Sequence, residues 1–146
     1  MILKKYNLLK KKFNFKKIFF PTQTSLELVK VSEKYLKKNQ SILDLGCGGG
    51  IISGTLYKKE LNQKIYLSDI DKKSIELSKK NLSFIKKNIF FKIGDTFKPW
   101  TDKKFDIIIN DVSGISSKVA KLSPWFKNIP ADNSSDGISL LKNVLD

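Results

Sequence analysis

Residues 41–52 constrain this chain more than any other part of its sequence. Apolar residues run up to Asp44, and a turn with four glycines between Gly46 and Gly50 follows. This pattern predicts a β-strand, a tight turn and a helix over residues 51–59, which together form the first half of a βαβ unit. Glycine suits such a turn because the backbone must bend sharply and a ligand can approach without a Cβ in the way.

The spacing of the glycines separates two kinds of nucleotide-binding turn. The dinucleotide fingerprint G-x-G-x-x-G, started at Gly46, requires glycine at position 51, where the sequence has Ile51. Asp44 at the end of the strand suits a cation better than a pyrophosphate, since a carboxylate accepts hydrogen bonds from an ammonium group. The turn therefore favours a cationic ligand, and an ordinary glycine-rich turn of an α/β domain is the alternative.

Length and composition predict one globular domain. The chain has 146 residues, 40% of them hydrophobic, and no apolar run approaches the roughly 18 residues that a membrane helix needs. Cys47 is its one cysteine, which excludes a disulfide within the chain, and we expect a cytoplasmic protein. All 28 basic residues are lysine, so the net charge of +14 comes without the arginine fork that recognises phosphate. The charge therefore raises the expectation of an anionic partner only slightly.

The N-terminal residues are predicted to form a basic segment, residues 1–20, ahead of a domain over residues 21–146. The segment holds seven lysines among apolar residues. It is either a basic amphipathic segment on an anionic surface or, as we prefer, a short helix or strand packed on the domain edge, or a frayed tail. The first helix of the domain is predicted from an N-cap at Ser25 to about Lys38.

Three further segments have the pattern of strands that end near polar residues. Residues 64–69 precede a helix that Asp71 is expected to cap and that runs to about Phe84. Residues 88–93 form the next strand, and the isoleucine-rich residues 104–110 are typical of a buried parallel strand. Because the carboxyl ends of parallel strands meet at one edge of a sheet, polar side chains from all four strands are expected at one crevice. These side chains are Asp44, Asp69, Asp95 and Asn110.

Residues 111–135 show little regular pattern, and we expect a long loop there. The loop contains Trp125 and Phe126, which either stack on a planar substrate group or, as we prefer, pin the loop to the core. A last helix is predicted over residues 135–145.

Residues 19–145 resemble the class I S-adenosylmethionine-dependent methyltransferases, and most closely the branch of the release factor glutamine methyltransferases and related small-domain enzymes. The resemblance is carried by Asp44-x-Gly46-x-Gly48-x-Gly50, by Asp69 after the second strand, by Phe20-Pro21, and by Asp136-Gly137 near the last helix. It implies an α/β, Rossmann-like three-layer sandwich with a mostly parallel sheet in the order 3-2-1-4.

The same resemblance implies roles for the residues at the crevice. Asp44 would hold the methionine end of S-adenosylmethionine, Asp69 the ribose, and Asp95 or Thr96 the adenine side. Asn110 would hold the acceptor nitrogen and is the candidate catalytic residue, and no metal is expected. The implied cofactor-binding residues are Asp44, Gly46, Cys47, Gly48, Gly49, Gly50, Asp69, Asp95, Thr96 and Asn110.

Two departures from that family stand out. The family has Asn-Pro-Pro-Tyr after the fourth strand, where this chain has Asn110-Asp111-Val112-Ser113. The family sheet has seven strands, and the sequence predicts about four, which leaves the strand at residues 104–110 on an open edge. We expect either that the C-terminal strands of the family are missing, or that another subunit in a homo- or hetero-oligomer covers this edge, or that the last helix packs over it.

The leading functional hypothesis is N-methylation of a macromolecular acceptor, either a protein glutamine or an RNA base. The first alternative is a non-catalytic, truncated methyltransferase-like subunit or a module that binds RNA or another partner. The second is an NAD-dependent oxidoreductase, against which Ile51 and Asp44 both argue.

Overall fold

A four-stranded parallel sheet forms the centre of the fold in the computed structural model, which describes residues 1–112, 115–126 and 135–145. The strands run in the order β3-β2-β1-β4, and every neighbouring pair is parallel, as the sequence predicts. The strands are β1 (Ser41–Leu45), β2 (Lys64–Asp69), β3 (Ile89–Ile93) and β4 (Ile107–Asn110).

Six α-helices accompany the sheet in the described part of the chain. In those residues no helix combines the length and the apolar character needed to cross a membrane. The helices are α1 (Ile2–Lys12), α2 (Gln23–Glu33), α3 (Ile51–Leu56), α4 (Lys72–Asn81), α5 (Ser117–Leu122) and α6 (Ser139–Leu145), and short 3-10 turns occur at Lys59–Leu61, Lys98–Trp100 and Pro124–Phe126.

Strand β1 is covered on both faces because its side chains alternate between two core clusters. Ile42 packs in the cluster that holds Tyr6 and residues of α2 and α3. Leu43 and Leu45 face the other way and pack against Tyr66 and Trp100. Asp44 therefore lies on the helix-covered face together with Ile42, where its side chain is completely buried.

The basic N-terminal segment forms helix α1, which contacts α3 and α2. Tyr6 is only 2% exposed, and its hydroxyl donates a hydrogen bond to the Thr22 carbonyl oxygen at 3.3 Å. Of the alternatives for this segment, the short packed helix is confirmed for residues 2–12. The division of the chain at residue 20 stays a prediction.

The predicted N-cap at Ser25 is wrong. Helix α2 begins at Gln23 with Thr22 in the cap position, so Ser25 lies inside the first turn and is buried. Its hydroxyl donates to the Asp111 Oδ2 atom at 2.6 Å, a tertiary contact that outweighs the capping preference of serine. The helix also ends at Glu33, earlier than predicted. The predicted cap at Asp71 is confirmed, since its carboxylate accepts from the Lys73 and Ser74 amides.

Helix α3 and strand β4 are both shorter in the structure than the sequence predicts. Helix α3 ends at Leu56 because Tyr57 leaves the helical conformation, with a ψ of 124°, and its carbonyl oxygen accepts a hydrogen bond from Lys5 Nζ. Strand β4 begins at Ile107, and at the preceding residue the Asp106 side chain accepts a hydrogen bond from the Ser41 amide at 2.7 Å while the Asp106 amide donates to the Ser41 carbonyl oxygen at 2.9 Å.

The expected long loop over residues 111–135 contains regular structure. Helix α5 begins after Ser116, whose side chain accepts from the Val119 amide, and the prediction of a structureless loop is wrong there. Residues 127–134 and the side chain of Trp125 lie outside the described residues. The last helix begins at Ser139 and not at Ser135.

The open edge expected at β4 is present among the described residues, where β4 pairs only with β1. Ile108 on this strand is 47% exposed. Val144 of α6 packs on the cluster around Leu43 and Trp100, so the last helix covers part of that face of the sheet.

Tyr6 provides a test of whether α1 stabilises the fold. Tyr6→Ala is expected to lower the free energy of unfolding by about 3–5 kcal/mol, because it empties a buried aromatic site. Leu8→Ala on the same helix is the matched control. Leu8 is 49% exposed, so its loss is expected to change stability by less than about 1 kcal/mol. Urea denaturation measures both, and equal effects would contradict the buried packing of α1.

Candidate functional site

A cavity of about 670 Å³ opens at the carboxyl ends of the strands. All four strands contribute to it through the residues that follow them, as expected for an open parallel sheet. Its volume lies within the range of roughly 300–1,000 Å³ that small-molecule sites occupy. The lining residues from the strand ends are Leu45–Gly49 at the end of β1, Ser68–Asp71 at the end of β2, Gly94–Thr96 after β3, and Asp111 and Val112 after β4.

The glycine turn is held by the end of β2. The Gly46 and Cys47 amides both donate to the Ser68 carbonyl oxygen, at 2.9 and 3.0 Å, and the Gly48 amide donates to Asp69 Oδ2 at 2.8 Å. A turn that binds a pyrophosphate presents free amides to the phosphate oxygens. Here these three amides are occupied within the protein, which disfavours an anionic ligand at this turn.

Asp69 lies at the centre of the turn region and lines the cavity. Its two carboxylate oxygens accept one amide each, from Gly48 and from Asp71. Burial raises the pKa of Asp69, although these amide contacts oppose the rise. Each oxygen keeps acceptor capacity beyond its amide, so Asp69 can receive hydroxyl donors from a ligand in the cavity.

Asp44 lies beneath the cavity and is not one of its lining residues in the described part of the chain. Its Oδ2 atom accepts from the Ser53 amide at 3.2 Å and the Ser53 hydroxyl at 2.6 Å, while Oδ1 has no partner among the described residues. Burial raises the pKa of Asp44 to about 7, and the negative charges of Asp111 and Asp69 add to the rise. An orphaned carboxylate oxygen of this kind is suited to a cationic group or a bridging water.

The end of β4 presents Asp111 to the cavity, and Asn110 is not among the described lining residues. The Asn110 Oδ1 atom accepts from the Val112 amide at 3.1 Å, which makes a local turn. Asp111 pairs with Ser25, and burial raises the pKa of Asp111. Sequence reasoning missed the role of this pair, for which the only local signal was a second polar residue directly after Asn110.

The residues after β3 contribute Asp95 and Thr96. Asp95 lines the cavity, and its Oδ2 atom accepts from Lys98 Nζ at 2.7 Å. Thr96 adopts φ of +44°, which is uncommon for a residue with a side chain and recurs at functional sites. Phe97 points away and packs against the Leu43–Tyr66 cluster.

The remaining predicted residues lie in the glycine turn. The Cys47 thiol is buried, and burial raises its pKa well above the usual value, which disfavours the reactive thiolate form. A Cβ added at Gly48 would meet nothing within 4 Å, whereas one at Gly49 would lie 2.6 Å from the Phe15 ring. Gly48 therefore leaves room on the cavity side. Gly50 precedes α3 and is not among the described residues that line the cavity.

Two phenylalanines from the segment between α1 and α2 form part of the cavity wall. Phe15 and Phe19 line the cavity, and the Phe19 ring lies 5.5 Å from the ring of Phe126. Phe126 is buried, in agreement with the prediction that it pins its segment to the core. Sequence reasoning missed Phe15 and Phe19 as site residues because they meet Gly49 and Phe126 only through the tertiary fold.

The charge of the cavity is opposite to the charge of the chain. Four aspartates line it, and no lysine does so among the described residues, although the sequence has 28 lysines. Beside Asp69, Ile70 also lines the cavity and is 61% exposed, which offers an apolar surface to a planar group. The aspartates are Asp69, Asp71, Asp95 and Asp111. The four aspartates and the exposed Ile70 together fit a ligand that has a positive charge and an aromatic ring.

Comparison with known protein families gives one family match over most of the chain. The model of the methyltransferase small domain matches residues 20–111. The ribosomal protein L11 methyltransferase of Dictyoglomus turgidum is 30% identical over 122 residues, which cover 84% of this chain and 38% of that protein. The release factor glutamine methyltransferase of Streptococcus pneumoniae is 29% identical over 101 residues, covering 68% of this chain and 36% of that protein.

Solved structures share the fold at low sequence identity. The ribosomal protein L11 methylase of Lactobacillus delbrueckii subsp. bulgaricus superposes with a TM-score of 0.52 at 21% identity, covering 76% of this chain and 56% of that one. Thermoplasma acidophilum 1320 gives a TM-score of 0.54 at 19% identity, covering 88% and 61%. The chain spans only about two fifths of the length of the first curated relatives, 38% and 42%.

The raised pKa of Asp44 predicts a pH-dependent stability. Between its usual value of 3.8 and the folded value of about 7, the folded protein holds a proton that the unfolded chain releases. The free energy of unfolding therefore falls as pH rises through this window, by at most about 1.4 kcal/mol per pH unit for this group. Asp44→Asn keeps an acceptor for Ser53 and is expected to remove this share of the slope.

Urea denaturation of both proteins at pH 5 and pH 8 measures the effect. The stability of the variant relative to the natural chain is expected to rise between pH 5 and pH 8, because the natural chain alone loses stability as pH rises through this part of the window. An Asp44→Asn variant that loses stability at pH 8 would show that the Asp44 carboxylate is satisfied within the fold.

Proposed function

Because this chain belongs to the methyltransferase small domain family, we propose that it binds S-adenosylmethionine in the cavity at the strand ends and transfers its methyl group. The acceptor is a nitrogen atom of a macromolecule, either a protein glutamine or an RNA base. The family match confirms the resemblance drawn from the glycine turn and the strand ends. One observation carries the proposal: a lysine-rich chain lines this cavity with four aspartates and with no lysine among its described residues.

The residues of the cavity fit the chemical groups of S-adenosylmethionine. When bound, the cofactor supplies a methyl group already activated on a sulfonium, so the protein has to bind, orient and exclude water. Asp69 would accept hydrogen bonds from the ribose hydroxyls, and Ile70 would offer an apolar surface to the adenine. Asp95 or Thr96 would hold the adenine side. The open face of Gly48 lets the ligand approach the turn.

Asp44 and its neighbours provide the negative charge for the methionine end. The unpartnered Oδ1 atom of Asp44 favours an ammonium above the turn, which it would reach through a water because Asp44 itself does not line the cavity. A bound cation also offsets the burial that raises the pKa of Asp44 and Asp69. The charged forms of these buried acids are thus disfavoured in the empty protein, and a bound cationic ligand would stabilise them.

Asn110 remains the proposed residue for the acceptor nitrogen, with Asp111 beside it. Asp111 already faces the cavity, and the Asn110 amide is half-buried one residue away. Oriented amide and carboxylate oxygens accept the N–H groups of an acceptor and thereby aim its nitrogen at the methyl group. No general base from histidine is available, since the sequence contains none.

A partner-dependent methyltransferase subunit is the second candidate. Its supporting observation is the exposed apolar edge of the sheet, where Ile108 is 47% exposed on β4. In this form the chain binds the cofactor and needs a homo- or hetero-oligomeric partner to cover β4 before it transfers a methyl group. We propose a cytoplasmic location for either candidate, because the sequence contains a single cysteine.

Isothermal titration with S-adenosylmethionine tests the cofactor. Asp69→Asn is expected to weaken binding by roughly ten- to a hundredfold, since it weakens charge-assisted hydrogen bonds to the ribose and leaves one of the Gly48 and Asp71 amides without its acceptor. Glu76→Gln removes an equal charge at an exposed residue of α4 outside the cavity and is expected to leave binding unchanged. NAD titrated in the same way should give no heat. Absence of S-adenosylmethionine binding by the folded natural chain would refute the proposal.

The role of Asn110 requires a separate measurement. Asn110→Ala is expected to reduce methyl incorporation into total cell RNA or protein at least about tenfold, while cofactor affinity stays within about twofold. Asn110→Asp keeps an acceptor for the Val112 amide and serves as the control for the local turn. If Asn110→Asp restores full methyl incorporation, the asparagine amide has a structural and not a catalytic role. Incorporation from radiolabelled S-adenosylmethionine, with nuclease and protease digestion, reports both the rate and the acceptor class.

A further inference from the structure

A second cavity, of about 410 Å³, lies between the C-terminal ends of helices α1 and α4. We call it the basic groove. Its described lining combines three lysines with two phenylalanines and two asparagines, and it contains no acidic residue. The lining residues are Lys5, Leu9, Lys12, Phe13, Asn14, Lys80, Asn81 and Phe84.

The sequence segments that form the basic groove concentrate positive charge. Residues 1–20 hold seven lysines and no acidic residue, and residues 79–88 hold four lysines and none. Lys12 and Lys80 are exposed, and neither forms an ion pair with the described acidic residues. Lys5 differs, because it donates to the Tyr57 carbonyl oxygen and burial lowers its pKa. Two ammonium groups of the groove are therefore available to an anionic partner.

An aromatic surface lies beside these ammonium groups. Phe84 is 45% exposed, and its ring centroid is 6.4 Å from that of Phe13 and 6.3 Å from that of Tyr57. Aromatic rings next to basic groups are the pattern that binds single-stranded nucleic acid, since bases stack on the rings and phosphates meet the lysines. An acidic protein segment would use the charge but would leave the aromatic surface without a role.

The basic groove shares a wall with the cofactor cavity. The Asn81 side-chain nitrogen donates to the Asn14 carbonyl oxygen at 3.1 Å and to the Gly49 carbonyl oxygen at 2.9 Å. Asn14 and Asn81 line the groove, whereas Phe15 and Gly49 line the cavity. A strand of RNA in the groove would therefore lie against the glycine turn that forms one wall of the cofactor cavity.

We propose that the basic groove binds a single-stranded segment of RNA, with phosphates at Lys12 and Lys80 and a base on Phe84. This inference deepens the proposed function, because it selects RNA as the acceptor class, and it rests on that function for its biological purpose. The binding itself is measured without S-adenosylmethionine, so the two proposals fail separately.

Fluorescence anisotropy with a labelled RNA of roughly 12 nucleotides tests the groove on the full chain. Lys12→Gln/Lys80→Gln is expected to weaken binding at least about tenfold in low salt and to reduce the salt slope by about 1.4, the share of two phosphates on a single strand. The matched control is Lys103→Gln/Lys104→Gln, an exposed pair outside the groove with the same change in net charge. This control is expected to change affinity less than about twofold.

Phe84→Leu tests the stacking surface separately from the charge. It keeps an apolar side chain against Phe13 and removes the aromatic face, so RNA binding is expected to weaken at least about fivefold at an unchanged melting temperature. Titration of S-adenosylmethionine into the same variants should give the affinity of the natural chain.

Three results would overturn the proposal. The first is no RNA binding by the folded natural chain at low salt. The second is an equal loss of affinity in both lysine pairs, which would show a diffuse charge effect. The third is equal affinity for a labelled polyglutamate peptide of the same length, which would favour a protein partner. RNA binding at the groove in a chain that binds no S-adenosylmethionine would support the groove and refute the proposed function.

Discussion

The end of strand β2 holds the glycine turn that follows β1, and the remainder of the site depends on this contact. The Ser68 carbonyl oxygen accepts two successive amides of the turn, and the Asp69 carboxylate accepts a third. The same carboxylate accepts the Asp71 amide at the start of the next helix. One side chain thus fixes two turns relative to each other. The contact also favours a ligand with positive charge. The three amides that it occupies are not free to bind a phosphate, whereas the aspartates still line the cavity.

Concentrating acids in a buried cavity is costly, and this cost is visible in the site. Burial raises the pKa of Asp44, Asp69 and Asp111, which means that the protein environment disfavours their charged forms. The hydroxyls of Ser53 and Ser25 offset part of this cost by donating to two of these acids. A cationic ligand would offset more of this cost. Binding of such a ligand would therefore stabilise the folded protein.

The sequence predicted those features that local chemistry controls. The apolar runs of the sequence predicted all four strands, and the family resemblance predicted their order. The cap at Asp71 was predicted from the preference of aspartate for the N-terminus of a helix. The same local argument failed for Ser25, because Asp111, 86 positions away, is a better partner than the helix end. Asp44 was placed at the right strand end, but its depth depends on which face of β1 the helices cover. Phe15 and Phe19 could not be predicted as site residues, since their contacts arise only when the N-terminal segment crosses the sheet end.

The distribution of lysine shows why composition alone is a poor guide to the charge of the site. Along the sequence the lysines are spread widely, which is typical of a solvated surface. Folding then brings the acid-free residues 1–20 against the end of α4, while the aspartates after the strands gather in the cavity. Asn81 joins the two regions by its hydrogen bonds to Asn14 and Gly49. A positively charged surface and a negatively charged cavity therefore share one wall, and this separation of charge would let the proposed anionic macromolecule and the proposed cationic cofactor bind side by side.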